Sequence, residues 1–176
     1  MSLWLKIPLF IVAALALALA ALYAAGSMMA REHTATRRLT LKSAAPGDVW
    51  AKVANEAAMP TWRKDVKSTT RLADRNGHEV WREEFKSGNA LTYETLEATP
   101  PTRLVRAIVD EAMFGGTWTI VVAPEGQGAS VTVTEDGWIA APPFRVLAKY
   151  VWGHDATMKA YLTDLATSFG EPAVIE

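Results

Sequence analysis

The sequence contains no cysteine among its 176 residues. The chain therefore forms no disulfide, and it has no thiolate for nucleophilic chemistry or for a zinc site. Its three histidines, His33, His78 and His154, are far apart along the chain, and the HExxH pattern of metalloproteases does not occur. These absences predict a protein that uses no metal ion and no other cofactor.

Several other familiar patterns are missing. The sequence has neither GxGxxG nor GxxxxGK[ST], the glycine-rich loops that hold nucleotide phosphates, and no serine lies in a GxSxG turn. The formal net charge is only −1. A chain with so little net charge has no electrostatic attraction for a polyanion, so a nucleic-acid partner is not expected.

What the chain does have is a long apolar run near its start. Residues 7–30 contain no charged side chain. As a helix they would extend about 36 Å, more than the ~30 Å hydrocarbon core of a bilayer. This pattern predicts a single-pass membrane anchor within residues 1–30, followed by one domain over residues 31–176. The alternative is a cleaved secretory signal, with Lys6 as its basic start and a cut near Ala24, Ala25 and Gly26.

The charges that flank the anchor bear on its orientation. Basic residues follow the run at Arg31, Arg37, Arg38 and Lys42, whereas only Lys6 precedes it. The excess of basic residues after the run favours a cytoplasmic domain, although a lysine before an apolar run argues for the opposite side. The anchor has no GxxxG pattern, and the oligomeric state stays open.

After the anchor, hydrophobic periodicity predicts an α+β domain. Asn76 and Gly77 mark a tight hairpin, because both tolerate positive φ. Residues 144–169 carry one apolar stripe at three- and four-residue steps, which predicts a long C-terminal helix. About seven strands, joined by short turns, form a curved antiparallel sheet wrapped around that helix. The predicted strands are residues 34–42, 66–74, 79–86, 90–98, 103–110, 117–123 and 129–135.

Five short segments carry a resemblance to a known family. They are Ala-Pro-Gly-Asp-Val-Trp at residues 45–50, Met-Pro-Thr-Trp at 59–62, Gly-Gly-Thr-Trp at 115–118, Thr-Glu-Asp-Gly at 134–137 and Pro-Phe-Arg at 143–145. In these segments and in the order of its elements, the chain resembles the START/polyketide-cyclase-like (SRPBCC) superfamily over residues 36–169. The resemblance implies a helix-grip fold with an internal cavity between sheet and helix. Members bind lipids, sterols, polyketides or aromatic hormones there, and some are cyclases or dehydratases.

Two ionisable residues are candidates for chemistry in such a cavity. His154 lies on the apolar stripe of the predicted helix, so it would face the cavity as an acid or base, or else be a hydrogen-bonded core histidine. Glu135 shares a strand face with Val131 and Val133. It would bind a ligand hydroxyl or pair with His154 or Arg106, unless the end of the strand twists into water. Neighbouring carboxylates such as Glu83 and Glu84 are expected at solvated edges.

Aromatic and flexible apolar residues complete the predicted cavity wall, since they suit a flat or apolar ligand. The candidates are Trp62, Tyr93, Trp118, Tyr150, His154 and Met158. The favoured function is a membrane-tethered binding protein for a hydrophobic small molecule or a lipid. The alternatives are an interaction module with a filled core, and a cyclase or dehydratase in which Glu135 or Tyr150 orients His154.

Overall fold

The computed structural model describes residues 3–176, within which the chain forms five α-helices and eight strands. The first two residues of the predicted anchor and the side chains of residues 3–6, 8 and 9 lie outside the described part. The helices are α1 (Leu3–Ser27), α2 (Pro46–Val53), α3 (Met59–Trp62), α4 (Pro142–Leu147) and α5 (Ala156–Ser168). The strands are β1 (Glu32–Leu41), β2 (Val66–Arg71), β3 (Val80–Phe85), β4 (Ala90–Thr99), β5 (Arg103–Val109), β6 (Phe114–Glu125), β7 (Gly128–Ile139) and β8 (Val174–Ile175).

The eight strands form one antiparallel sheet in the order β2-β3-β4-β5-β6-β7-β1-β8. Each of β2 to β6 pairs with the next strand in sequence, β1 pairs with β7, and β8 pairs with β1 at the edge. The predicted hairpin is confirmed, since Asn76 (φ 50°) and Gly77 (φ 83°) form the turn between β2 and β3. The predicted fold, a curved antiparallel sheet with a C-terminal helix, is confirmed as well.

The hydrophobic core lies between α5 and the sheet. Met158, Leu162 and Leu165 of α5 are completely buried, as are Leu39 of β1 and Val131 of β7. Burying each such side chain stabilises the fold by roughly 1.5–3 kcal/mol. The helix face and the sheet face therefore hold each other in place.

The C-terminal helix differs from the predicted continuous helix over residues 144–169. Helix α4 runs into a π-helical turn at Ala148–Trp152, and the chain then breaks before α5. Gly153 makes the break with φ 77°, a conformation that glycine adopts without a steric penalty from a Cβ atom. The apolar periodicity continues through this glycine, so the sequence pattern alone does not reveal the break.

Helix α1 precedes the sheet. Its residues Phe10–Ser27 are the one segment in the described part of the chain that is long and apolar enough to cross a membrane. Their side chains are almost all exposed, with Phe10 and Leu17 each 72% accessible. A signal sequence near an N-terminus meets the same criteria of length and composition.

Candidate functional site

A cavity of about 210 Å³ lies between the sheet and α5. Strands β3 to β7 supply most of its wall, and α5 supplies Thr157 and Tyr161. Its remaining lining residues are Arg63, Glu83, Phe85, Leu91, Tyr93, Arg106, Ile108, Phe114, Trp118, Ile120 and Glu135. The wall is therefore mainly aromatic and aliphatic, with a few ionisable groups.

The strand register brings these side chains together. Tyr93 on β4 lies directly opposite Ile108 on β5. Arg106, two residues earlier on β5, lies opposite Trp118 on β6, which in turn lies opposite Glu135 on β7. Residues directly opposite each other in an antiparallel pair point to the same face of the sheet. Alternation along each strand then places this whole set on the face that α5 covers.

Arg106 is a buried charge of the cavity wall, only 8% exposed. Its guanidinium pairs with Glu56, and its Nη2 donates a hydrogen bond to the Val53 carbonyl at 3.3 Å. Burial lowers the pKa of Arg106 to about 10, so the side chain is still cationic at neutral pH. Its Nε finds no hydrogen-bond partner among the described residues.

Glu83 is a second buried ionisable group, only 4% exposed. Burial raises the pKa of Glu83 to about 7, against the opposing influence of the nearby Arg63 guanidinium. Arg63 itself donates two hydrogen bonds to Asp65, at 3.1 and 2.8 Å, which leaves it only partly available to Glu83. Within residues 3–176, Glu83 Oε2 has no hydrogen-bond partner.

Two phenols, Tyr93 and Tyr161, also belong to the cavity wall. Burial raises the pKa of Tyr161 to about 12 and also raises that of Tyr93, so both are neutral at physiological pH. The ring of Tyr161 packs edge-on against Trp62 and Trp118, with centroids 5.3 and 5.6 Å apart. No described group bonds to the Tyr161 hydroxyl, so it is free to bond to a molecule in the cavity.

Glu135, on β7, lines the cavity and is held in place by two contacts. Trp118 Nε1 donates to its Oε2 at 2.6 Å, and His33 Nε2 lies 3.1 Å from its Oε1. Gly137 makes room for this pair, because a Cβ at that position would overlap the His33 ring. Glu135 is therefore held by an indole and an imidazole at the boundary of the cavity.

His154 lies outside this cavity, in a separate cleft of about 420 Å³. Arg31, Arg145 and Lys149 are among the residues that line this cleft. The His154 ring stacks on His33 with centroids 4.1 Å apart. Partial burial, reinforced by His33, lowers the pKa of His154 and favours its neutral form. No three His, Asp or Glu side chains in the described part of the chain are arranged to hold a metal ion.

The structure separates the residues that the sequence predicts to share the cavity. Tyr93, Trp118 and Glu135 are in its wall, whereas the other four candidates are not. Trp62 is 8% exposed and Met158 is fully buried, so both fill the packed core. The remaining two, His154 in the other cleft and Tyr150 with 70% exposure, are displaced because the break at Gly153 interrupts the helical stripe.

Other residues of the site were missed by the sequence analysis. Glu83 was expected at a solvated edge, and this expectation is wrong because Glu83 faces the cavity. The pairing of Glu135 also differs from the expectation, since it contacts His33 and Trp118 rather than Arg106 or His154. The signal for Glu83 was its place two residues before Phe85 on one strand face. Arg63 and Tyr161 also line the cavity and are not predicted there, and so does Arg106, which is predicted only as a possible partner of Glu135.

The fold and its mainly apolar cavity define the chain as a helix-grip protein. Residues 32–170 match the family model described as "Polyketide cyclase / dehydrase and lipid transport". The chain belongs to this family, which confirms the predicted superfamily.

Solved structures with the same fold include three useful comparisons. A Thermus thermophilus protein is 23% identical with a TM-score of 0.58, and the match covers 76% of this chain and 93% of that one. The Streptomyces aromatase/cyclase Zhui is 15% identical with a TM-score of 0.57, and the match covers 78% of this chain and 90% of that one. The di-domain ARO/CYC StfQ, from the steffimycin biosynthetic pathway, is 11% identical with a TM-score of 0.58, and the match covers 79% of this chain and 50% of that one.

The chain thus spans about half the length of the StfQ protein. Identities below a quarter relate the folds and carry no substrate or activity across. Among curated proteins, none matches this chain.

Proposed function

We propose that this chain is a membrane-tethered binding protein for a small amphipathic molecule, which inserts one polar group into the cavity between the sheet and α5. The observation that carries the proposal is the polarity of the cavity. Its apolar wall contains three buried polar groups that have no partner among the described residues: Arg106 Nε, Glu83 Oε2 and the Tyr161 hydroxyl.

The unpartnered groups indicate what the ligand's polar group would be. Leaving a buried polar group unsatisfied costs about 1–3 kcal/mol, so a ligand or water that pairs with it is favoured. Arg106 Nε donates a hydrogen bond, Tyr161 donates or accepts, and Glu83 donates when protonated. A carbonyl, hydroxyl or carboxyl oxygen satisfies more of these groups than an amine does.

The size of the cavity restricts the apolar part of the ligand. An apolar cavity of about 150 Å³ holds benzene, and this cavity measures about 210 Å³. It therefore suits one ring system or the end of a single acyl chain. A complete two-chain phospholipid would not fit inside, so a membrane lipid would enter with only one of its chains.

Helix α1 supplies the proposed tether. Its apolar segment Phe10–Ser27 is exposed along its length and is long enough to span the bilayer. We place the domain on the cytoplasmic face, because the basic residues follow this segment rather than precede it. A tether at this position would keep the domain next to ligands dissolved in the membrane.

Native mass spectrometry of the full chain, purified in detergent from its host membranes, tests the proposal. We expect a bound small molecule at a constant mass in the wild-type protein. Ile108→Trp, which fills the cavity, should lose that mass, whereas Val105→Trp, on the opposite face of β5, should retain it. Tyr161→Phe should weaken binding by up to about 10-fold, the equivalent of one hydrogen bond.

The binding proposal fails if the wild-type protein carries no small molecule and binds none from a panel of fatty acids, sterols and aromatic alcohols. It also fails if Ile108→Trp and Val105→Trp retain the ligand equally. Either result would favour an interaction module whose internal space holds only water.

A cyclase or dehydratase is the second candidate, and the His33–Glu135 pair favours it. In this pair the Glu135 carboxylate lines the cavity, and the His33 imidazole contacts it from the neighbouring cleft. Glu135→Gln keeps the shape of the side chain but removes its basicity. If the chain is an enzyme, this variant should bind the extracted compound and fail to convert it. Equal conversion by both proteins would exclude this role of Glu135.

A further inference from the structure

Residues 142–153, which connect the sheet to α5, expose several large apolar side chains. Phe144 of α4 is 47% exposed, and Tyr150, Val151 and Trp152 of the π-helical turn are 70%, 66% and 55% exposed. The rings of Phe144 and Trp152 stack with centroids 6.3 Å apart. We call these four residues the aromatic surface. Large apolar side chains grouped on a protein surface mark a contact with an apolar partner.

The aromatic surface is attached directly to the end of the proposed membrane helix. Helix α1 packs on α4, and Gly26 meets Pro142 so closely that a Cβ on Gly26 would overlap the Pro142 backbone. Arg145 bridges the two elements. Its Nη1 lies 3.3 Å from the Met29 carbonyl oxygen and 3.5 Å from that of Gly26.

The same guanidinium also fixes the end of the sheet. Arg145 Nε donates to the Ile139 carbonyl at 2.9 Å, and its Nη2 donates to the Ala140 carbonyl at 2.7 Å. One side chain thus joins the end of β7, α4 and the C-terminal end of α1. This junction fixes the aromatic surface relative to α1.

The charges of the segment agree with one particular partner. Residues 142–153 contain two charged side chains, Arg145 and Lys149, and both are positive. The Lys149 ammonium lies 5.3 Å from the centre of the Tyr150 ring. Tryptophan and tyrosine are enriched at the level of lipid headgroups, and lysine and arginine near them attract anionic lipids.

We propose that the aromatic surface lies in the headgroup region of the same bilayer that α1 spans, as a second membrane contact. This inference rests on the proposed tether, because the bilayer is the apolar partner that α1 would bring to the junction. Thr157, in the first turn of α5, lines the cavity only five residues after Trp152. The contact would therefore hold this side of the cavity next to the lipid.

The lack of cysteine permits a direct test with single spin labels in the full chain. Val151→Cys places a label on the aromatic surface, and Leu17→Cys places one on α1. Leu96→Cys, on β4, is the matched control because Leu96 is an exposed apolar residue outside α1 and the aromatic surface. Each protein is reconstituted into phosphatidylcholine vesicles containing some phosphatidylglycerol. Electron paramagnetic resonance then compares the access of dissolved oxygen with that of a water-soluble nickel chelate.

We expect labels at positions 151 and 17 to be more accessible to oxygen, and the label at 96 to be more accessible to nickel. A lipid-exposed label at 17 with a water-exposed or protein-buried label at 151 overturns the second contact and leaves the tether intact. A water-exposed label at 17 overturns the tether and the second contact with it. Tyr150→Cys repeats the measurement on the same surface, and a water-exposed label there would also contradict the inference.

Discussion

The buried carboxyl of Glu83 should make the stability of this protein depend on pH. Burial raises its pKa from the ordinary value of 4.5 to about 7. The folded protein therefore keeps this proton up to a higher pH than the unfolded chain does. As pH rises from about 4.5 to about 7, the folded state loses stability relative to the unfolded state, and the loss is complete above about pH 7.

The magnitude follows from the two pKa values. One pKa unit corresponds to about 1.4 kcal/mol, so the change from 4.5 to about 7 costs about 3 kcal/mol once Glu83 ionises. For a chain of 176 residues, 1 kcal/mol shifts the melting temperature by about 2–4 °C. Glu83→Gln resembles the protonated side chain and removes the titration. The variant should match the wild type below about pH 4 and melt about 6–12 °C higher near about pH 8.

Thermal unfolding of the full chain in detergent, followed by circular dichroism, measures this difference. His154 has a lowered pKa and contributes the opposite sign below its usual value of 6.5, but its contribution cancels between wild type and variant. Glu84→Gln, at the next position of β3, is the matched control, because neighbouring strand residues lie on opposite faces of the sheet. If the melting temperatures of wild type and Glu83→Gln change with pH in the same way, the burial argument is refuted.

Three further predictions concern the free energy of unfolding, measured by denaturant titration of the full chain in detergent. Leu162→Ala removes a fully buried side chain of α5 and should cost about 2–5 kcal/mol; a cost below about 1 kcal/mol would mean a loosely packed core. Glu56→Gln leaves buried Arg106 without its counter-charge and should cost about 3–5 kcal/mol, whereas an unchanged midpoint would contradict the ion pair. The Cβ of Gly128→Ala would overlap the backbone of β1, whereas the Cβ of Gly47→Ala would contact nothing. Gly128→Ala should therefore lower the free energy of unfolding by about 3 kcal/mol. Equal stability of the two variants would disprove this close approach.

The sequence patterns predict the elements because their causes are local. The positive φ of Asn76 and Gly77 follows from their own chemistry. Alternation of apolar side chains marks the strands, and a run of residues without charge marks α1. The resemblance in five short segments then led to the correct superfamily.

The boundaries of some elements depend on contacts that these local patterns do not include. Strands β6 and β7 each extend beyond their predicted ends, as far as Glu125 and Ile139, because they pair with each other along their whole length. The short strand β8 exists only through its pairing with Leu39 and Thr40 of β1. Its two residues are too few to give a periodic signal.

The candidate site also depends partly on local sequence patterns and partly on contacts between distant segments. The apolar periodicity could place Tyr93 and Trp118 on the inner face of the sheet, but it could not show that Glu83 lies buried beside them. A carboxyl usually faces water, and whether it is desolvated depends on the strands and the helix that surround it. The contact of His33 with Glu135 joins residues 102 positions apart. Local sequence thus determined which elements form, whereas the tertiary structure decided which polar groups share a cavity, because pairing and desolvation arise only when distant segments pack together.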